Sequence, residues 1–213
     1  MCLEQSTNIE IKKLELDFGQ NAYVIFNKQN KQAVIIDLGS NADFVYNYII
    51  KQGFTPVGVI LTHGHFDHAG GCFDIMQKGV KVYIYKDEYN ATFTQKNCAF
   101  VFGLDFKEFK ADETFVKGDL EVGGLTFKVL PTPGHTDGSV CLILGDALFS
   151  GDTLFKGSYG RYDLISGNRK DLISSIVDTL FHLKQNYTIY PGHGEITTLE
   201  EEKENNFIWN ELW

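Results

Sequence analysis

Apolar positions alternate or run in short blocks through the first part of the chain, with turn residues between them. IEIKKLEL over Ile9–Leu16, YVIFN over Tyr23–Asn27 and AVIID over Ala33–Asp37 are divided by Gly, Asn and Asp, so they read as an N-terminal strand meander. The period then changes. Phe44, Val45, Tyr48 and Ile49 recur at i, i+1, i+4 and i+5, with Asn41 ahead as a cap and Gly53 just beyond, which predicts a helix laying one face on the sheet. Val57–Thr62 (VGVILT) is nearly all apolar and rich in β-branched residues, the pattern of a strand buried on both faces. A short helical stretch follows Gly71, VKVYIY over Val80–Tyr85 reads as the next strand, and Asp87 is placed to cap another helix.

Residues 94–119 carry few periodic signals and are read as loop with short helix. A second group of strands follows at Leu125–Leu130, Ser139–Leu144 and Ala147–Ser150. Leu172, Ile173, Ile176, Val177, Leu180 and Phe181 then share one face of a helix over Lys170–Leu183. Thr188–Tyr190 gives a last short strand, and the chain turns helical again from Leu199. Strands followed by helix, twice over, suggest two similar halves, each a sheet covered by helices. The expected fold is an α/β four-layer αββα sandwich, one domain over residues 1–213.

Composition narrows the function classes. With 43% hydrophobic and 22% charged residues a packed core is expected. A net charge of −9, without a Lys/Arg block longer than a dipeptide, argues against nucleic acid as a partner. The N-terminus lacks a basic region followed by an apolar run, and no stretch approaches the ~18 apolar residues of a membrane span, so a cytosolic protein without a membrane partner is expected. Cys2, Cys72, Cys98 and Cys141 lack CxxC spacing and read as reduced thiols packed as small hydrophobes, although Cys72 adjoins a histidine-rich stretch.

That stretch is LTHGHFDHAGG, residues 61–71, which holds three of the six histidines. His63, His65 and His68 cannot share one helical face, because i, i+2 and i+5 do not match an i, i+4 pair. They need a turn after a strand, where alternate side chains aim at neighbouring points and Gly64, Gly70 and Gly71 let the backbone fold tightly. PTPGHTDGS with His135, FSGDTLF with Asp152 and YPGHGE with His193 repeat the same grammar of strand end, glycine and one possible ligand. One such histidine is ordinarily a satisfied structural residue, as His182 on the predicted helix is taken to be. Five in glycine-bordered turns, with Asp67 and Asp152, point to a metal centre. The groups divide into His63, His65 and His135 on one ion, Asp67, His68 and His193 on a second, and Asp152 between them. Imidazole and carboxylate donors suit two divalent ions, zinc first, with iron or manganese compatible. Two such ions ~3.5–4 Å apart can share a hydroxide at neutral pH.

The motif HxHxDH, as His63-Gly-His65-Phe-Asp67-His68, with PGHT around His135, GD at Gly151-Asp152 and GH at Gly192-His193, resembles the metallo-β-lactamase-fold superfamily. The motifs run in order from the first third of the chain to near its end, and the αββα sandwich is what the resemblance implies. An Asp bridging where true β-lactamases have a cysteine points toward the glyoxalase II group. GDTLFKGSYGRYD, Gly151–Asp163, is similar to the stretch after the bridging aspartate in short glyoxalase II-like hydrolases. The chain ends about 20 residues past His193, so the C-terminal helical domain of full-length glyoxalase II is expected to be absent. The resemblance places Arg161 where the family anchors its thiol carrier, with Lys156 and Tyr159 as neighbouring substrate contacts. Asp163 stands where the family has a tyrosine, which puts glutathione as the carrier in doubt.

The leading expectation is hydrolysis of a small acylated thiol, a thioester, by attack of a metal-bridging hydroxide that Asp67 both ligates and orients. Two rivals share the fold. GRYD is also similar to the GR-x-D stretch of the persulfide dioxygenases, which use one iron at positions matching His63, His135 and Asp152, and HFDHAGG is similar to lactone and ester hydrolases. A non-catalytic, metal-stabilised module is disfavoured, because it would close its coordination shell and need no second ion. FIWNELW at the C-terminus places Phe207, Ile208, Trp209, Leu212 and Trp213 at helical spacing, expected to pack on its own domain in a monomer or homodimer.

Overall fold

The computed structural model describes residues 8–211. Its first sheet takes strands in chain order: β1 (Ile9–Glu15), β2 (Asn21–Asn27), β3 (Gln32–Ile36), β4 (Thr55–Ile60), β5 (Lys81–Tyr85) and β6 (Glu113–Phe115). The pairs β1–β2 and β2–β3 are antiparallel, whereas β3–β4, β4–β5 and β5–β6 are parallel. Next come β7 (Gly118–Val122), β8 (Leu125–Pro131), β9 (Val140–Leu144), β10 (Ala147–Gly151), a small ribbon β11 (Leu154–Phe155) and β12 (Ser158–Tyr159), then β13 (Thr188–Pro191) and β14 (Thr197–Thr198). The second sheet runs β14-β13-β10-β9-β8-β7, with β10–β13 parallel and its other neighbours antiparallel.

Strand parity builds the layers. In β2 and β3, Ala22, Val24, Phe26, Ala33 and Ile35 face one core, while Tyr23, Ile25, Val34 and Ile36 face another. The first core lies under helices α1 (Ala42–Lys51), α2 (Phe66–Ala69) and α3 (Cys72–Met76), which supply Val45, Ile49, Ala69, Cys72 and Ile75. The second is the inter-sheet core, where Ile25, Val34 and Ile60 meet Phe127, Leu142 and Phe149. A third core packs Cys141, Ile143, Leu148 and Ile189 against Leu172 of α4 (Arg169–Ser174) and Leu199 of α5 (Leu199–Asn205). Because the central strands of both sheets are apolar on both faces, the layering is helix, sheet, sheet, helix, as expected. Phe127 is fully buried at the centre, where truncation to Ala costs about 3–5 kcal/mol.

Four local expectations are corrected. Asn41 precedes α1 but does not cap it: it adopts φ +54°, and its Nδ2 donates to Asp17 Oδ2 at 3.2 Å and Ser40 Oγ at 3.0 Å. Asp87 lies inside a 3₁₀ segment, Lys86–Phe93, that starts without a side-chain cap. Residues 94–119 contain 3₁₀ turns at Gln95–Asn97 and Ala99–Phe102, and also β6 and the start of β7. The strands escaped notice because β6 is only three residues long and β7 is largely exposed, so neither shows an apolar run. The long helix over Lys170–Leu183 is α4 followed by a π-helical segment, Ser175–Leu180. At the C-terminus Ile208 is buried and Trp209 stacks 5.4 Å from Phe181, on the chain's own third core; Leu212 and Trp213 lie outside the described residues, as does Cys2.

Candidate metal centre

Parallel pairing sets where the site forms. β3 and β4 run side by side in one direction, so Asp37 and the segment Thr62–His68 leave the first sheet together; β10 and β13 do the same for Asp152 and His193 in the second. The β8–β9 loop adds His135 between them. Five strand ends thus meet at one edge of the sandwich, the place where α/β sheets form their crevices.

The seven expected residues converge. Donor atoms of His63, His65 and His135 lie within 4.8 Å of one another, as do those of His63, His68 and Asp152, and those of Asp67, His68 and His193. Asp152 sits between the groups, its Oδ1 3.1 Å from His68 Nε2 and its Oδ2 3.6 Å from both His135 Nε2 and His193 Nε2. His182 lies elsewhere, donating from Nδ1 to Val177 O at 2.9 Å. Cys72 is buried in the helix-side core, and burial pushes its thiol well up, so it takes no part.

Four of the five imidazoles are oriented from behind. His68 Nδ1 donates to Asp37 Oδ2 at 2.8 Å, His135 Nδ1 to Arg161 O at 2.7 Å and His193 Nδ1 to Gly19 O at 3.1 Å. Thr62 gives its backbone N–H to Asp37 Oδ1 and its hydroxyl proton to Asp37 Oδ2, both at 2.8 Å, which leaves Thr62 Oγ1 to accept from His63 Nδ1 at 3.1 Å. With Nδ1 donating in all four rings, each of their Nε2 atoms turns inward. His63 Nε2 is buried without a hydrogen-bond partner, and His135 Nε2 faces His65 Nδ1 at 2.8 Å, so the fifth ring turns Nδ1 rather than Nε2 to the cluster. Converging nitrogen donors, held by acceptors behind them, fit divalent cations and little else.

Charge divides the site the same way. Burial drives the His63, His65 and His135 pKa values down, His65 to about 3, so these rings are neutral with lone pairs free. Burial opposes charge on His68 too, but Asp152, Asp37 and Asp67 outweigh it and raise its pKa; the bond to Asp67 does likewise for His193. Burial works against ionisation of Asp67 and Asp152, yet His68 beside them holds both carboxyls low.

Two supporting residues were missed from the sequence. Asp37 directly follows β3, inside DLGS, and had no histidine nearby to mark it. Glu88 is buried, its Oε1 accepting Gly64 N–H at 2.9 Å and its Oε2 accepting Thr136 Oγ1 at 3.0 Å and Gly138 N–H at 3.1 Å. One carboxylate thereby ties the His63–His65 turn to the His135 loop. Gly192 is required by close approach: a Cβ there would stand 2.2 Å from Asp152 Oδ1 and 2.6 Å from His68 Cε1.

Above the donors opens a cavity of about 540 Å³, with His65, Asp67, His135, Asp152 and His193 in its floor. Arg161 lines it. The other two expected contacts do not: Lys156 is drawn away by an ion pair with Glu195, and Tyr159 is held in the β11–β12 ribbon, where it pairs with Leu154.

Among the described residues no helix is long and apolar enough to cross a membrane. Residues 16–193 match the family model described as the Metallo-beta-lactamase superfamily. The chain is 35% identical to the probable metallo-hydrolase YqgX of Bacillus subtilis, covering 88% of this chain and 92% of that one. It is 35% identical over 210 residues to the hydroxyacylglutathione hydrolase GloC of Haemophilus influenzae, covering 95% and 98%. The crystal structure of BLEG-1 B3 metallo-beta-lactamase superposes with a TM-score of 0.87 at 32% identity, over 93% of this chain and 99% of that chain. Fold, donor cluster and similarity agree, and the chain belongs to the metallo-β-lactamase superfamily, with a histidine-rich donor cluster suited to metal.

Proposed function

We propose that this protein hydrolyses thioesters at a dinuclear centre, with His63, His65, His135 and Asp152 holding one divalent ion and Asp67, His68, His193 and Asp152 the other. The observation that carries the reading is the donor cluster opening directly onto a cavity, in a chain that resembles a hydroxyacylglutathione hydrolase over almost its whole length. When bound, such ions polarise a carbonyl and make water nucleophilic at neutral pH.

The residues supply the rest. Asp67 reaches the cavity floor with its Oδ2 3.2 Å from His193 Nε2, so its carboxylate can accept a hydrogen bond from a water and fix its direction of attack. Asp37, Gly19 O and Arg161 O keep three imidazoles from rotating, so the donors are preorganised before substrate arrives. The aromatic lining gives the reacting carbonyl an apolar wall on one side.

The test is a panel of thioesters, esters, a lactone, a glutathione persulfide and a β-lactam, the last because BLEG-1 carries the B3 β-lactamase name. Protein loaded with zinc, iron or manganese in turn should cleave thioesters best, and full chelation should abolish turnover. Oxygen uptake with the persulfide, by protein holding one iron per chain, would transfer the reading to a dioxygenase. Turnover that survives complete metal removal would refute the metal mechanism.

A further inference from the structure

Three phenyl rings build one wall of the cavity. Phe18 stands edge-on to Phe66 with centroids 5.2 Å apart, and Phe66 lies 5.2 Å from Phe102. Leu104, Phe155 and Leu164 extend the apolar lining. Phe18 and Phe102 are 59% and 49% exposed and belong to none of the three cores, so folding does not account for their placement. Phe18 also sits at φ +62°, a left-handed region that side-chain-bearing residues enter only under strain. The turn Asp17–Gly19 that holds this strained ring at the mouth also supplies the Gly19 carbonyl behind His193, which ties the wall rigidly to the metal centre.

Three cations near the mouth are each paired with a carboxylate. Arg161 closes on Asp163 through two hydrogen bonds, 2.7 Å from Nε and 2.9 Å from Nη2. Lys156, next to Phe155, pairs with Glu195, and Lys96, two residues before Cys98 in the lining, pairs with Asp137 at 2.6 Å. On a chain of net charge −9, an anionic carrier meets an Arg161 already closed on Asp163 where a family member would anchor it.

We infer that the substrate is a neutral thioester with an apolar body, an alkyl or aryl group laid against Phe18, Phe66 and Phe102, rather than an anionic peptide-like thiol conjugate. The reacting group rests on the thioesterase reading; the body rests on the wall and the paired charges. This body fits the cavity because each methylene transferred from water to such a surface contributes about 0.8 kcal/mol, a factor of three to four in kcat/KM.

The experiment compares acetyl, butanoyl and hexanoyl thioesters of N-acetylcysteamine with lactoylglutathione on the metal-loaded protein. The acyl series should rise three- to fourfold per methylene, with the hexanoyl ester at least tenfold better in kcat/KM than lactoylglutathione. Phe102→Ala should flatten the series at unchanged metal content, and Asp163→Ala, by freeing Arg161, should improve lactoylglutathione severalfold. A flat series, or a preference for lactoylglutathione, overturns the inference. Calorimetry with the non-hydrolysable thioethers S-hexyl-N-acetylcysteamine and S-hexylglutathione separates the two readings. Tighter binding of the neutral thioether, lost in Phe102→Ala, upholds the apolar body even where no thioester is cleaved. Equal or tighter binding of S-hexylglutathione overturns it even where thioesters are.

Discussion

Asp37 and His68, 31 residues apart in the chain, are joined by a hydrogen bond of 2.8 Å between Oδ2 and Nδ1, with both groups buried. The same carboxylate takes the backbone N–H and the hydroxyl of Thr62, so one residue outside the donor set fixes the strand end that carries His63 and the tautomer of His68. Asp37→Ala should lower metal affinity by about 10–100-fold, the usual effect of losing an outer-shell partner. It should also destabilise the apoprotein by roughly 3–5 kcal/mol, since it leaves His68 and the Thr62 donors buried without their acceptor. Chelator competition and urea denaturation measure the two effects. An affinity within twofold of wild type would show that His68 is oriented by something other than Asp37.

Glu88 makes a prediction about pH. Burial raises its carboxyl pKa to about 7, although the hydrogen bonds from Gly64 and Thr136 favour the ionised form. The folded chain therefore keeps a proton on Glu88 at pH values where the unfolded chain, with an ordinary value of 4.5, has released it. The stability this proton contributes is complete below the unfolded value and is lost as pH rises through about 7. Glu88→Gln stays neutral throughout. In the apoprotein, wild-type stability relative to the variant should fall by roughly 2–3 kcal/mol across that window. Denaturation curves of both proteins at several pH values decide it, and parallel profiles would place the Glu88 pKa in the ordinary carboxylate range.

Much of this site was legible because its chemistry is written in residue types that rarely cluster. Glycine-bordered His63, His65, Asp67, His68, His135, Asp152 and His193 announced a shared destination, although the centre is assembled from strand ends far apart in sequence. The layers were legible as well, since β2, β3 and β4 are apolar on both faces and only an element between two cores needs that pattern. Asp37 and Glu88 were not. A buried carboxylate is indistinguishable in sequence from a solvated one until its partners, Thr62 and His68 or Gly64, Thr136 and Gly138, are brought to it by tertiary contacts. For the same reason Lys156 and Tyr159 looked like substrate contacts: nothing local shows that Glu195 draws one aside or that the β11–β12 ribbon holds the other.

Gly192 tests how tightly the donors are packed. The nearest atoms to an added Cβ are Asp152 Oδ1 and His68 Cε1, both in the donor cluster, so Gly192→Ala must displace one or both. Metal content per chain should drop while the fold survives, because the displaced groups belong to the donor cluster and to none of the three apolar cores. Metal analysis alongside the thermal midpoint checks this. Full occupancy in the variant would mean that β13 shifts easily and that the site tolerates looser geometry than its contacts indicate.

Asp152 supplies the last prediction, through its position between the two groups of histidines. In the apoprotein it balances His68, which is fully buried and held protonated by Asp152, Asp37 and Asp67 against the cost of burial. Asp152→Ala therefore removes one side of a buried ion pair as well as the residue best placed to serve both ions. The apoprotein should lose about 3–5 kcal/mol of stability at neutral pH, and the loss should shrink as acid protonates the wild-type carboxylates and takes away the advantage they give. Metal content should fall below that of wild type in the same variant, and thioester turnover with it. Asp152→Asn separates the effects, because an amide keeps the volume and one acceptor but not the charge. If the alanine and asparagine variants bind metal equally poorly, the charge of Asp152 assembles the centre; if asparagine restores occupancy, geometry at that position is sufficient and the bridging role lies elsewhere.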